Sequence, residues 1–215
     1  DNQPDNLEIV NHNDTEDAKN SKYIMNALKR ENYQRNGISK GLTKASPDDL
    51  ILISDVDEIP DLSSLDTDKI DNEIILFKQN FYYYKFNLKL ENIPWLGTKA
   101  CKYKNLKSPQ WLRNIKTKKR PFWKILSNKE PQLIQDSGWH FSFLKKPESI
   151  IKKIKSYAHQ EFNKSEFTNL DNIKKKILKG QDLFNRNIKY KIIDVDETFP
   201  EYIFKNKTKF KDWIA

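Results

Sequence analysis

The segment ILISDVDEIP, residues 51–60, runs four apolar or small residues straight into Asp55, Asp57 and Glu58 and closes on a proline. Carboxylates at i and i+2 of an extended chain point the same way. Asp55 and Asp57, with Ser54 and Glu58 beside them, therefore read as a hard oxygen site for Mg2+ or Mn2+, ions that keep positions open for phosphate oxygens. A cation there neutralises a departing diphosphate, the chemistry of transfer from a nucleotide-linked donor. The plain alternative is an acidic turn facing water; the apolar strand before the cluster and Glu-Ile-Pro after it argue for the site. A second acidic copy, IIDVDETFP at 192–200, follows a lysine-rich stretch and leads into the C-terminal tail. Asp194, Asp196 and Glu197 read as a surface turn.

The elements that must position this cluster follow from periodicity. Residues 50–54 read as a strand buried on both faces. Residues 7–10 read as a short strand, and 21–42 as a helix with Tyr23, Ile24, Ala27, Leu28, Tyr33 and Ile38 at three- or four-residue spacing. Strands are expected at 74–77, 81–90 and 137–144, and a loop at ENIPWLGT, 91–98. Pro147 opens a helix in a favoured first-turn position, with Ile150, Ile151, Ile154, Tyr157, Ala158 and Phe162 as its apolar stripe. A further helix covers 170–178 and ends at Gly180, and the tail closes on a short helix. Alternating helices and strands predict one α/β domain.

The chain has 215 residues, 12% of them aromatic, and a net charge of +9. That composition is globular and large enough for a core. Eleven basic residues and no acidic one lie between Lys99 and Lys129, with Tyr103, Trp111, Phe122 and Trp123 among them. This tract is either a solvated lysine surface or a face for a phosphorylated ligand or an anionic membrane. Cys101 is the single cysteine, which excludes an internal disulfide and a thiolate metal cluster. No apolar run is long enough to span a bilayer, and the polar, acidic N-terminus carries no secretory pattern. The chain on this reading is cytoplasmic or peripheral to a membrane.

YQRNGISKGLTKASPDDLILISDVDEIP resembles the signature segment of glycosyltransferase family 17, whose best-known members are β-1,4-mannosyl-glycoprotein N-acetylglucosaminyltransferases. The similarity continues in FYYYKFNLKL, PWLGTKACKY, SGWHFSFLKKPESIIKKIKSYAHQEF, GQDLFNR and FPEYIFKNKTKF. It implies a GT-A-type fold, a Rossmann-type mixed sheet flanked by helices. It also implies a sugar-nucleotide donor (UDP-GlcNAc by resemblance), a divalent metal, a glycan acceptor rather than nucleic acid, and inversion at the anomeric carbon. Family members usually begin with an additional strand-helix-strand portion, so the chain is expected to be N-terminally incomplete.

By resemblance Arg35 and Asn36 border the donor nucleotide, the alternative being a helix-surface pair, and His140 of Gly-Trp-His completes the metal shell, the alternative being a hydrogen-bonded core residue. On a strand, Trp139 faces away from His140 and is either a sugar platform or core. Inverting transfer needs one base for the acceptor hydroxyl, and Glu161, Asp136 and Asp182 are the candidates. His159 and Glu161, two residues apart on a helix, face apart unless the helix ends there. Asp182 and Arg186 would line the pocket. Gly97 and Thr98 would form a loop that lets substrate approach the backbone, with Trp95 as an acceptor platform. Competing readings are an inactive carbohydrate-binding relative, a phosphohydrolase of the haloacid dehalogenase type, and a nucleic-acid binder using the basic aromatic tract.

Overall fold

The protein is described from a computed structural model, which covers residues 3–66, 70, 73–91, 93–116, 130–156, 165–186 and 188–215. They divide into two compact units, residues 1–41 with 145–188 and residues 42–144 with 189–215.

The first unit is helical. Helix α1, Glu16–Asn36, starts five residues earlier than its apolar spacing indicates, because the Thr15 side chain caps it by accepting from the Ala18 N–H. Residues 7–10 form no strand. Their backbone polar groups find a side chain instead: Glu8 N donates to Asn26 Oδ1 at 2.6 Å and Glu8 O accepts from Asn26 Nδ2 at 2.8 Å. Asn26 is accordingly the buried residue of α1. Helices α3 (Pro147–Ser156), α4 (Ser165–Thr168) and α5 (Leu170–Leu178) complete the unit. Asn169 caps α5, and Gly180, at φ +56°, follows its end.

The second unit holds the sheet. Strands β1 (Leu50–Ile53), β5 (Trp95–Lys102), β3 (Ile74–Tyr83), β4 (Leu88–Leu90) and β8 (Tyr190–Ile192) lie in that order, all antiparallel. Strands β6 (Gln132–Ile134) and β7 (Gly138–Ser142) run parallel to β3, and β2 (Glu58–Pro60) pairs antiparallel with β7. The result is a mixed α/β fold whose curled, partly open sheet is consistent with a Rossmann-like architecture. Among the described residues β1 pairs with β5 alone.

Alternation along β1 serves both faces. Ile51 and Ile53 pack with Cys101 and Leu112, while Leu50 and Leu52 pack against Ile75, Phe77 and Ala100. A third cluster gathers Tyr82, Phe86, Phe141, Val195, Phe199 and Ile203. Helix α6 (Glu201–Lys205) brings Ile203 into that cluster, so the C-terminal tail is part of the core. Asp196 accepts from both the N–H and the hydroxyl of Thr198, forming the turn expected for the second acidic copy.

Three strand boundaries depart from the pattern, and the strand expected over 81–90 is broken, since β3 ends at Tyr83 and β4 begins at Leu88. Residues 74–83 form one strand because Gln79, which interrupts the apolar run, is buried beside Thr98 and donates to its hydroxyl. Residues 95–98, expected as a loop, are the start of β5. Gly97 sits where a Cβ would come within 1.7 Å of Gln79 Oε1, so its bare backbone admits that side chain rather than a substrate.

At Gly138 two backbones of the sheet approach closely. Its φ is +126°, and a Cβ there would lie 2.2 Å from the backbone oxygen of Ile59. It stands opposite Pro60 and fixes the β2–β7 register, which places Glu58 opposite His140. Gly138→Ala is expected to destabilise the protein by roughly 2–4 kcal/mol, measured by urea unfolding; a loss under 1 kcal/mol contradicts this role.

Candidate active site

The acidic cluster lies at the end of β1, in a turn and not in an extended chain. Glu58 N donates to Asp55 O at 3.0 Å, and Asp55 N donates to Glu58 Oε2 at 3.0 Å. Backbone and side chain thus close the same four residues. Asp55 and Asp57 take first and third position of that turn, which corrects the i, i+2 geometry of a strand. Val56 between them is fully exposed. The turn is tied down behind, where Phe141 N donates to Asp57 O at 2.8 Å.

The three carboxylates have different surroundings. Asp55 and Asp57 are partly open, with side chains 39% and 26% exposed, whereas Glu58 has none of its side chain exposed. Glu58 accepts from Arg113 at both oxygens, 2.9 and 3.0 Å, and from Trp95 Nε1 at 2.8 Å. Arg113 also donates to Asp55 Oδ2 at 2.7 Å and to the Gly97 carbonyl at 2.6 Å. Asp57 Oδ1 lies 3.5 Å from His140 Nε2. The buried His140 ring stacks on Trp95, centroids 4.2 Å apart, and leans on Phe81 at 4.4 Å. Its Nδ1 has no hydrogen-bond partner among the described residues. Beneath the turn, Ser54 and Thr98 hydroxyls bond at 2.7 Å.

Arg113 was not legible as a site residue. It stands at the end of α2, Pro109–Asn114, which Ser108 caps by accepting from Trp111 N and Leu112 anchors in the core. The buried Lys99 ammonium donates to the Arg113 and Ile115 carbonyls and fixes the end of that helix. The available signal was chemical: an arginine among lysines, closing a capped helix, suits a two-point carboxylate contact.

Other expected residues fall elsewhere. Trp139 faces away from His140, as alternation requires, and packs on the Tyr82–Phe141 cluster. Trp95, expected as an acceptor platform, is bonded to Glu58. Asp136, at φ +47° in a left-handed turn, lines a cavity of about 330 Å³ with Lys78, Asn80, Phe81 and Lys89. It lies in the turn that precedes β7. Arg35, Asn36, Asp182 and Arg186 belong to the helical unit. Arg35 pairs with Glu31 at 2.9 Å. Asp182 accepts from Phe184 N, Arg186 N and the Arg186 guanidinium. His159 and Glu161, and the basic tract from 117 to 129, lie outside the described residues.

Among the described residues no group of three or more His, Cys, Asp or Glu side chains is arranged to hold a metal ion. The donor set therefore does not form a protein cage. Asp55 and Asp57 could offer a hard ion at most two carboxylates, so phosphate and water would have to complete its shell.

A family model for glycosyltransferase family 17 matches residues 7–211. The chain belongs to that family. No curated protein and no solved structure shows a significant match. Family membership supports a glycosyltransferase function, a sugar-nucleotide donor and a glycan acceptor. It favours that function over the phosphohydrolase reading. No helix among the described residues is long and apolar enough to cross a membrane.

The Asp182 turn gives a pH signature. Burial works to raise its pKa, but the bonds from Arg186 and the backbone outweigh it and hold the carboxyl below its usual range. A depressed folded pKa contributes stability above the unfolded pKa, lost as pH falls through the folded value. Asp182→Asn is therefore expected to lower stability at pH 7 and to flatten its decline below about pH 4, read from urea midpoints across pH. Parallel curves for the two proteins contradict it.

Proposed function

We propose that the protein is an inverting glycosyltransferase that moves a sugar, N-acetylglucosamine by family resemblance, from a nucleotide diphosphate donor to a glycan hydroxyl. What carries the reading is the acidic turn: two partly exposed carboxylates at a strand end, held by a third that is buried and fully bonded, in a chain of this family. Asp55 and Asp57 are the residues that would hold Mn2+ or Mg2+ with the donor diphosphate. Bound there, the ion would offset the charge that develops on the leaving group.

The chain's own residues supply position and exclusion of water. Glu58 keeps the turn closed, and the Ser54–Thr98 pair lies under it. The His140, Trp95 and Phe81 rings form a dry wall beside Asp57. Removal of the acceptor proton needs one base. Glu161, Asp136 and Asp182 are the candidates for that role, and the Asp182 carboxylate already accepts the bonds of its own turn.

Asp55→Ala and Asp57→Ala are expected to lower transfer by about 10²-fold or more while the chain stays folded, since Glu58 keeps its pairing with Arg113. The measurement is product formation across a nucleotide-sugar panel at saturating Mn2+. Full turnover in either variant contradicts the assignment.

A further inference from the structure

The guanidinium of Arg113 offers five N–H groups in a rigid fork. Four have identified acceptors: both Glu58 oxygens, Asp55 Oδ2 and the Gly97 carbonyl. The side chain is 11% exposed and Glu58 not at all. For the guanidinium to leave, Glu58 would be stranded as a buried, uncompensated charge, so the fork stays where it is. Arg113 consequently cannot swing out to follow a substrate. It acts from where it stands, on Asp55.

We propose that Arg113 is a positioning residue with a second effect through its charge. The fork holds the Asp55 carboxylate on the buried Glu58 support. Its positive charge, 2.7 Å from Asp55 Oδ2, also weakens the turn's attraction for a free dication, so that tight metal binding requires the negative charge of the donor diphosphate. The inference rests on reading the acidic turn as the diphosphate site. A guanidinium bonded to one of the two aspartates offsets part of the negative charge that would attract a dication, an effect that is larger in a partly dry site than in water. A lysine would keep the charge but could not hold Glu58 and Asp55 at once. The arrangement would keep the turn from being filled by metal alone and would couple metal and donor binding.

The test uses the 215-residue chain, with Mn2+ alone as probe, followed by electron paramagnetic resonance, and transfer kinetics alongside. Arg113→Gln is expected to bind Mn2+ without nucleotide at least about tenfold more tightly than the unaltered protein, while its kcat falls. Arg113→Lys is expected to keep Mn2+ affinity near the starting value and still lose kcat. A purely structural role would make metal affinity and turnover fall together. Because Arg113→Gln strands Glu58, the comparison is repeated between Glu58→Gln and Glu58→Gln/Arg113→Gln, in which no buried carboxylate is left unpaired. Unchanged or weaker Mn2+ binding on removal of Arg113 in both backgrounds overturns the charge effect. Full kcat in Arg113→Lys overturns the positioning. Asp57→Asn, measured with uridine diphosphate present, separates the two levels: if it then binds Mn2+ as well as the unaltered protein does, the acidic-turn reading itself fails, and this inference with it.

Discussion

The site depends on one buried ion pair. Glu58 and Arg113 meet through two parallel hydrogen bonds, and each carries further bonds that anchor a different element. Through Glu58 the pair reaches the backbone of the acidic turn and the Trp95 indole at the start of β5. Through Arg113 it reaches Asp55 and the Gly97 carbonyl. Burying two charges is costly, and only near-complete hydrogen bonding repays it. Here the oxygens of Glu58 accept four such bonds. The geometry is therefore all or nothing, which is the property a site needs if it must hold two exposed carboxylates in fixed positions against their mutual repulsion.

The surrounding fold brings these partners together from distant sequence. Strand β2 begins at Glu58 and lies on β7, a register that Gly138 alone permits by letting the Ile59 carbonyl pass close to its Cα. That register sets His140 across from Glu58 and lets its ring join Trp95 and Phe81 in one aromatic layer. On the other side, Lys99 and the Ser108 cap fix α2 so that Arg113 points into the turn. Nothing in this set is near in sequence to Asp55 except Glu58 itself.

That separation explains what the sequence revealed and what it concealed. The acidic cluster was legible because its residues are adjacent and follow an apolar run. The helix over 147–156 was legible from its apolar stripe and Pro147, that over 170–178 from Gly180 at its end, and Trp139 and His140 facing apart followed from strand alternation. Gln79 disguised the middle of β3, since a buried amide reads as a break until its partner Thr98 is known. Gly97 and Pro94 disguised the start of β5 as a loop for the same reason. The segment at 7–10 looked like a strand because Leu7, Ile9 and Val10 are apolar, but the backbone of Glu8 bonds to the Asn26 side chain. Arg113 stayed hidden because its meaning lies in contacts more than fifty residues away, and because lysines surround it.

The claim at the centre is that Asp55 and Asp57 receive a divalent ion together with a donor diphosphate while Arg113 stays on Glu58. Anomalous diffraction at the manganese edge, from crystals grown with Mn2+ and uridine diphosphate, addresses it directly. A single manganese peak bonded to one or both of these aspartates and to phosphate oxygens, with the Glu58–Arg113 fork intact, is the expected result. A peak elsewhere, or diphosphate bound away from the turn, contradicts it.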